Sequence, residues 1–262
     1  MVAIELGPYR FKGESNWDEC SSKRLTELSV LPRIAPDTDE AIKFAIANWL
    51  QMSPKVYAKI EVDRFQFHAL KEQVLWLFKK PTRKPFEFLR VGAFPTRSKK
   101  LYLPAPEFGD TTALELSMAF IHYTLFAKGD AASLDKLIAT LCRPSEGKRE
   151  GTDDLRVPYT EYGADKMAMQ VAHLPMAEKM AFLNYFEVML EDFMQTYEDV
   201  FGSGGKSRYD SGLGMLMVLK SIAQQGHFGT YDAVCQQPVH LLWTALLDDV
   251  LTQNEQQEAH GI

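Results

Sequence analysis

Gly226 and Pro238 do most to limit what this chain can fold into. Leu213, Leu216, Met217 and Ile222 recur at the spacing of one helix face, and Gly226 follows where a helix C-terminus needs positive φ. The first helix is therefore predicted to stop near Gln225. Residues 227–237 read as a compact loop containing Gly229, and Pro238 opens a second helix, where its fixed φ and missing N–H are no handicap. Val239, Leu242, Trp243, Leu246 and Val250 form that helix's predicted buried stripe. Residues 209–253 are thus a helix, turn and helix built of packing residues, with no chemistry of their own.

Helical signals recur upstream. Ser21 or Ser22 caps a short helix to Leu28, and Asp37 or Thr38 caps one carrying Ala41, Ile42, Ala45, Ile46 and Trp49. Ser53-Pro54 starts another, and residues 63–78 form one stripe through Phe67, Leu70, Val74, Leu77 and Phe78. Asp110-Thr111-Thr112 opens a helix closed by Lys128-Gly129, followed by a helix over residues 131–141. Residues 176–201 make one long amphipathic run, joined by Gly202-Ser203-Gly204-Gly205 to the C-terminal unit. Two segments alternate instead. Residues 2–13 fit a hairpin around Gly7-Pro8, and Phe86, Phe88, Leu101 and Leu103 fit the core face of a second hairpin with its loop at 92–100. Residues 143–162 are charged, contain glycine and have no apolar period, so they are predicted to be a flexible loop.

The predicted fold is therefore mainly α, a bundle-like domain of many helices with one or two small β-hairpins, N-terminal and central. Its segments are 1–142, the loop 143–162 and 163–262, sharing one core. A chain of 262 residues can bury such a core without staples. Cys20, Cys142 and Cys235 are too far apart for a CxxC site and odd in number, so no disulfide framework is expected. No apolar run approaches the roughly 20 residues that span a bilayer. The first residues, MVAIELGPYRFKGE, have no basic-then-apolar leader pattern, so a cytoplasmic protein with no membrane partner is expected.

Catalytic patterns are missing. The six histidines show no i, i+4 pair, and no GxSxG elbow occurs. Gly202-Ser203-Gly204-Gly205-Lys206-Ser207 lacks the leading glycine of a phosphate loop. Paired acids such as Glu191-Asp192 and Asp248-Asp249 fit the wet face of amphipathic helices. No catalytic residue, metal or cofactor is expected.

Charge is unevenly placed. The chain carries −6, yet residues 79–100 hold eight basic residues against the single acid Glu87, a segment of +7 that leaves −13 on the remainder. Lys79, Lys80, Arg83, Lys84, Arg97, Lys99 and Lys100 are the candidate partner-binding residues, for an acidic protein surface or for phosphates. Phe86, Phe88, Phe94 and Tyr102 are interleaved, but a hairpin core accounts for them without base stacking. Self-association is also permitted, since residues 187–199 hold five acids and no base.

Three stretches carry a family likeness: SNWDECSSKRLTEL; GDAASLDKLIATLCRP with the following DLRVPYTEY; and QQGHFGTYDAVCQQPVHLLWTALLDDV. Together they resemble proteins encoded in prophage-like regions of Bacteroidetes-type bacteria, and the G-x-F-G-T-Y-D and P-x-H-x-x-L elements resemble accessory proteins of phage tail assembly. Cys20 departs from the apolar residue expected after WDE. The resemblance implies a non-enzymatic assembly or adaptor protein in a bacterial host cell, or in the virion, that binds a phage structural protein. Two alternatives stay open: a nucleic-acid-associated accessory protein using residues 79–100, and an unrecognised enzyme.

Overall fold

The computed structural model describes residues 1–60, 62–92, 98–147, 154–202 and 212–260, with 259–260 by backbone alone. Arg97, Phe94, residues 148–153 and the link at 203–211 lie outside the described residues. The fold is mainly α: among the described residues, helices are joined by two antiparallel two-stranded sheets. The chain forms two compact units, residues 1–85 with 175–188, and residues 86–174 with 189–262. The expected loop 143–162 falls inside the second unit.

The first unit begins with β1 (Val2–Leu6) paired to β2 (Tyr9–Gly13), turning at Gly7 as the alternation predicts. Side-chain caps set the helix starts. Ser21 accepts from the Arg24 amide to open α1 (Ser22–Leu28), Thr38 opens α2 (Asp39–Trp49) and Ser53 opens α3 (Pro54–Tyr57). Asp63 and Gln66 make a reciprocal capping box at α4 (Arg64–Val74). Where one helix was predicted to run to 78, the last turn, Leu75–Phe78, tightens to 3₁₀ geometry. Gly13 lies against the buried Trp49 ring, where a Cβ would come 2.2 Å from the indole, and the Trp49 indole N–H donates to the Glu14 carbonyl at 2.9 Å. Residues 176–188, the first part of α8 (Met176–Thr196), join this unit: Asn184 Nδ2 donates to the Ser29 carbonyl at 2.7 Å.

In the second unit, β3 (Phe88–Val91) pairs with β4 (Lys99–Tyr102), confirming the central hairpin but not its phase. Leu89, Val91 and Leu101 are buried, whereas Phe88 and Tyr102, a cross-strand pair, are only half-buried. The expected core face is one residue out on β3, which puts its side chains on the other side of the sheet. Lys99 and Lys100, expected in the loop, belong to β4.

Thr112 caps α5 (Ala113–Ala127), and Asp130 caps α6 (Ala131–Leu141), whose bounds match those predicted. Next come α7 (Glu161–Val171), the end of α8, and α9 (Glu198–Phe201). The C-terminal part holds α10 (Gly214–Gln225), closed by Gly226 in left-handed conformation as predicted, and α12 (Val239–His260). Between them, the expected loop 227–237 contains another helix, α11 (Tyr231–Gln236), capped by Thr230. Gly212, at φ 79°, sits tight on α5: a Cβ there would be 3.0 Å from the Ile121 Cα. Phe193 anchors the core of this unit, with ring centroids of Tyr197 at 5.0 Å, His240 at 5.5 Å and Trp243 at 5.6 Å.

Candidate functional sites

The basic residues singled out in the sequence are divided between the units. Lys79, Lys80, Arg83 and Lys84 belong to the first, Lys99 and Lys100 to the second, and Arg97 lies outside the described residues. Several already have partners. Lys80 pairs with the buried Glu187 at 3.0 Å, beside Arg33 at 2.9 Å, and Arg83 donates to the Cys20 carbonyl. Burial pushes the Glu187 carboxyl up, but Arg33 and Lys80 together outweigh it and hold the group below its ordinary range. On β4, the Lys100 ammonium lies 4.5 Å from the Phe88 ring centroid, and the Arg90 guanidinium 5.0 Å. Lys79 and Lys99 are exposed.

A second charged group escaped the sequence reading and lies at the described ends of the segment 143–162. Arg143, Asp154 and Arg156 are buried, together with Glu115. Arg143 and Arg156 pair with Asp154 and with carboxylates of the segment before α5 and of α5 itself, Asp110 and Glu115. Arg156 donates from Nε to Asp154 at 2.8 Å, from Nη1 to the Leu141 carbonyl at 2.7 Å and from Nη2 to Asp110 at 2.8 Å. Arg143 donates from Nη1 to Glu115 Oε1 at 2.7 Å, and its backbone bridges to Tyr102. The other Glu115 oxygen, Oε2, lies 3.8 Å from Arg156 and has no hydrogen-bond donor among the described residues. Such a buried, unsatisfied atom costs about 1–3 kcal/mol. Burial pushes the Glu115 carboxyl above its ordinary range, Arg143 and Arg156 offsetting it only in part. One signal was present in the sequence: Glu115 is the single charged residue in the apolar stretch ALELSMAFIHYTLFA.

Glu115 lines a cavity of about 350 Å³, together with Asp110, Thr112, Asp154, Tyr159 and Gln236. Its walls are set by the starts of α5 and α12: the Ala113 amide donates to the Gln237 carbonyl and the Val239 amide to the Thr111 carbonyl, each at 3.0 Å. Just upstream, Glu107 and Phe108 both adopt positive φ, at 56° and 59°, a conformation costly for non-glycine residues. His240 holds that turn through a hydrogen bond between Nε2 and the Glu107 carbonyl. Because a carbonyl only accepts, Nε2 carries the proton; on a neutral ring Nδ1 then accepts from the Tyr197 hydroxyl, 2.8 Å away. Burial pushes the Tyr159 hydroxyl up to about 12, so it is a neutral hydroxyl at the cavity wall.

The third candidate is apolar. On α10 the buried residues are Met215, Leu219 and Ile222; Leu213 and Met217, expected in the core stripe, are exposed and Leu216 is half-buried. The helix has apolar residues on opposite sides, and periodicity alone does not say which side faces the core. The outward set borders a shallow groove of about 500 Å³ with Ala223 and Tyr231.

Among the described residues no group of three or more His, Cys, Asp or Glu side chains is placed to hold a metal ion, and no helix is long and apolar enough to cross a membrane. Compared with models of protein families, curated proteins and solved structures, the chain matches none.

Proposed function

We propose that this chain is a non-enzymatic protein-binding adaptor, of the phage-derived assembly kind implied by its sequence resemblance, and that the groove on α10 and α11 is its docking face. The observation that carries this reading is the second apolar side of α10. A helix apolar on both sides is ordinarily covered on both, and Leu213, Leu216 and Met217 recur at the spacing that receives an amphipathic helix. The occupant is therefore an amphipathic helical segment of another protein, its apolar residues at i, i+3, i+4 and i+7. Contiguous exposed apolar patches on monomeric proteins are commonly functional.

A display library of helical peptides selected on the purified chain tests this. Selected sequences are expected to show that apolar repeat and to lose binding to a Met217→Glu variant by about tenfold or more, the effect of placing a charge in an apolar contact worth about 1.4 kcal/mol. Selected peptides that bind the variant as well as wild type would remove α10 from the account. The basic residues of 79–100 then set orientation and association rate at most, as charges at the rim of an interface do.

A further inference from the structure

The first unit holds a cavity of about 540 Å³, lined wholly by residues of that unit and by none of the α10 groove. Its wall is largely apolar. Leu6 of β1, Ile46 of α2 and Leu70 of α4 are buried, Met52, Ile60 and Phe67 are half-buried, and Tyr57 and Val62 are exposed. A space of this size with an apolar wall and a few polar groups has the make-up of a small-molecule site. The charged residues of the lining are Asp39, Lys43 and Arg64. Among the described residues none of the three forms an ion pair, whereas Arg24, Arg33, Arg143 and Arg156 each hold a carboxylate. Lys43 follows Asp39 by one turn of α2, a spacing that favours a pair. Its ammonium lies instead 5.8 Å from the ring centroid of Phe67, on the cavity wall. Asp63, the neighbour of Arg64, is taken up by the α4 cap, where one carboxylate oxygen accepts from the Phe65 and Gln66 amides.

We infer that this cavity binds a small amphiphile with a single carboxylate head on an apolar tail, the head held by Lys43 and Arg64. Two cations against one carboxylate leave the lining one positive charge in excess, the complement of a monoanion. Asp39 sets a like charge in the same space, which selects against a doubly charged phosphate head. A guanidinium presents two parallel N–H donors to a carboxylate, and an ammonium adds a mobile point charge. The tail meets no directed partner: apart from the Tyr57 hydroxyl, the uncharged side chains of the lining are apolar. They hold it by burial, which scales with its length. A free fatty acid and a peptide C-terminus with apolar side chains share this chemistry.

Titration of the full chain with sodium octanoate, followed in amide NMR spectra at constant ionic strength, tests the assignment. Saturable shifts are expected at residues 39–46 and 62–70, with a Kd of about 0.1 mM or tighter. Residues 213–224 of the α10 groove are expected not to saturate in that range, which keeps this test apart from that of the docking face. Hexanoate is expected to bind about tenfold more weakly, since two buried CH₂ groups are lost. Octan-1-ol, without the charge, and octylammonium, with the charge reversed, are each expected to bind about tenfold more weakly or worse. Lys43→Gln and Arg64→Gln, at exposed positions, are expected to keep the Tm and each to weaken octanoate about fivefold or more, leaving octan-1-ol unchanged. Should either variant fail to fold, the other variant and the wild-type ligand series decide. Nα-acetyl-leucyl-leucine separates the sources, since binding tighter than octanoate marks a protein C-terminus and weaker binding marks a free fatty acid. Shifts that do not saturate or that saturate only at 213–224, an equal response to octan-1-ol or octylammonium, or octanoate binding undiminished in the folded variants would overturn the inference.

Discussion

Two charged stretches of this chain, residues 79–102 and 143–159, use their charges in opposite ways. In the first, Lys79 and Lys99 are exposed, Lys80 reaches the Glu187 carboxylate from a partly wet position, and Lys100 lies over the half-buried Phe88. In the second, Arg143, Asp154 and Arg156 are buried: Arg143 pairs with Glu115 and Arg156 with Asp110, both far away in sequence, and both arginines pair with Asp154. Charge density along a sequence therefore says little about role. What separates the stretches is how many partners each charge has and how dry those partners are, because a desolvated charge with fixed donors has no substitute in water.

Removing one charge from each stretch sharpens that contrast. The largest effect is expected from Arg156→Ala, which takes the guanidinium from between Asp154 and Asp110 and costs about 3–5 kcal/mol, a fall of roughly 10 °C in Tm. A fall under about 2 °C would mean that the second stretch is no more demanding than the first.

Glu187→Gln is expected to cost about 1.5 kcal/mol, because Arg33 and Lys80, each 28% exposed, turn to water when their carboxylate goes. Its pH dependence tells the two buried acids apart. The Glu187 pKa is held below the ordinary 4.5, so the stability it contributes is complete above that pH and is lost as pH falls through the folded value. Glu115 is raised, so its contribution is complete below about 4.5 and is lost as pH rises through its folded value. Denaturant titrations across pH should show the cost of Glu187→Gln shrinking in acid, whereas Glu115→Gln should flatten the decline above pH 4.5. Parallel profiles for the two variants would contradict the contrast.

The smallest effect is expected from Lys99→Glu with Lys100→Glu. The loss is one exposed cation-π contact and some β4 surface, below about 1 kcal/mol. A larger loss would show that the basic hairpin is held by its charges.

Local chemistry was legible in the sequence, and distant pairing was not. Ser21, Thr38, Ser53 and Thr112 cap helices because a short polar side chain before an apolar period satisfies orphan amides, all within a few residues. The bounds of α6 and the stop at Gly226 follow from the same short range. By contrast, Arg143 finds Glu115 28 residues away and Arg156 finds Asp110 46 residues away, so hydropathy sees only a polar run. Faces fail for a related reason. On β3 a shift of one residue exchanges Phe88 for Leu89, and on α10 Leu216 and Leu219 are equally good apolar markers on different sides. Their neighbours in space, not their spacing, decide which is buried. The α11 helix was missed because six residues are too few to show a period.

The docking role proposed for this chain rests on the apolar side of α10. A photo-crosslinking phenylalanine at Leu216, incorporated in the native host cell, reads that role directly. One discrete adduct with a different protein is expected, lost when Met217→Glu is added and absent when the crosslinker stands at the exposed Glu255 of α12. No adduct from Leu216, an adduct that survives Met217→Glu, or a product with only the mass of two copies of this chain would contradict it.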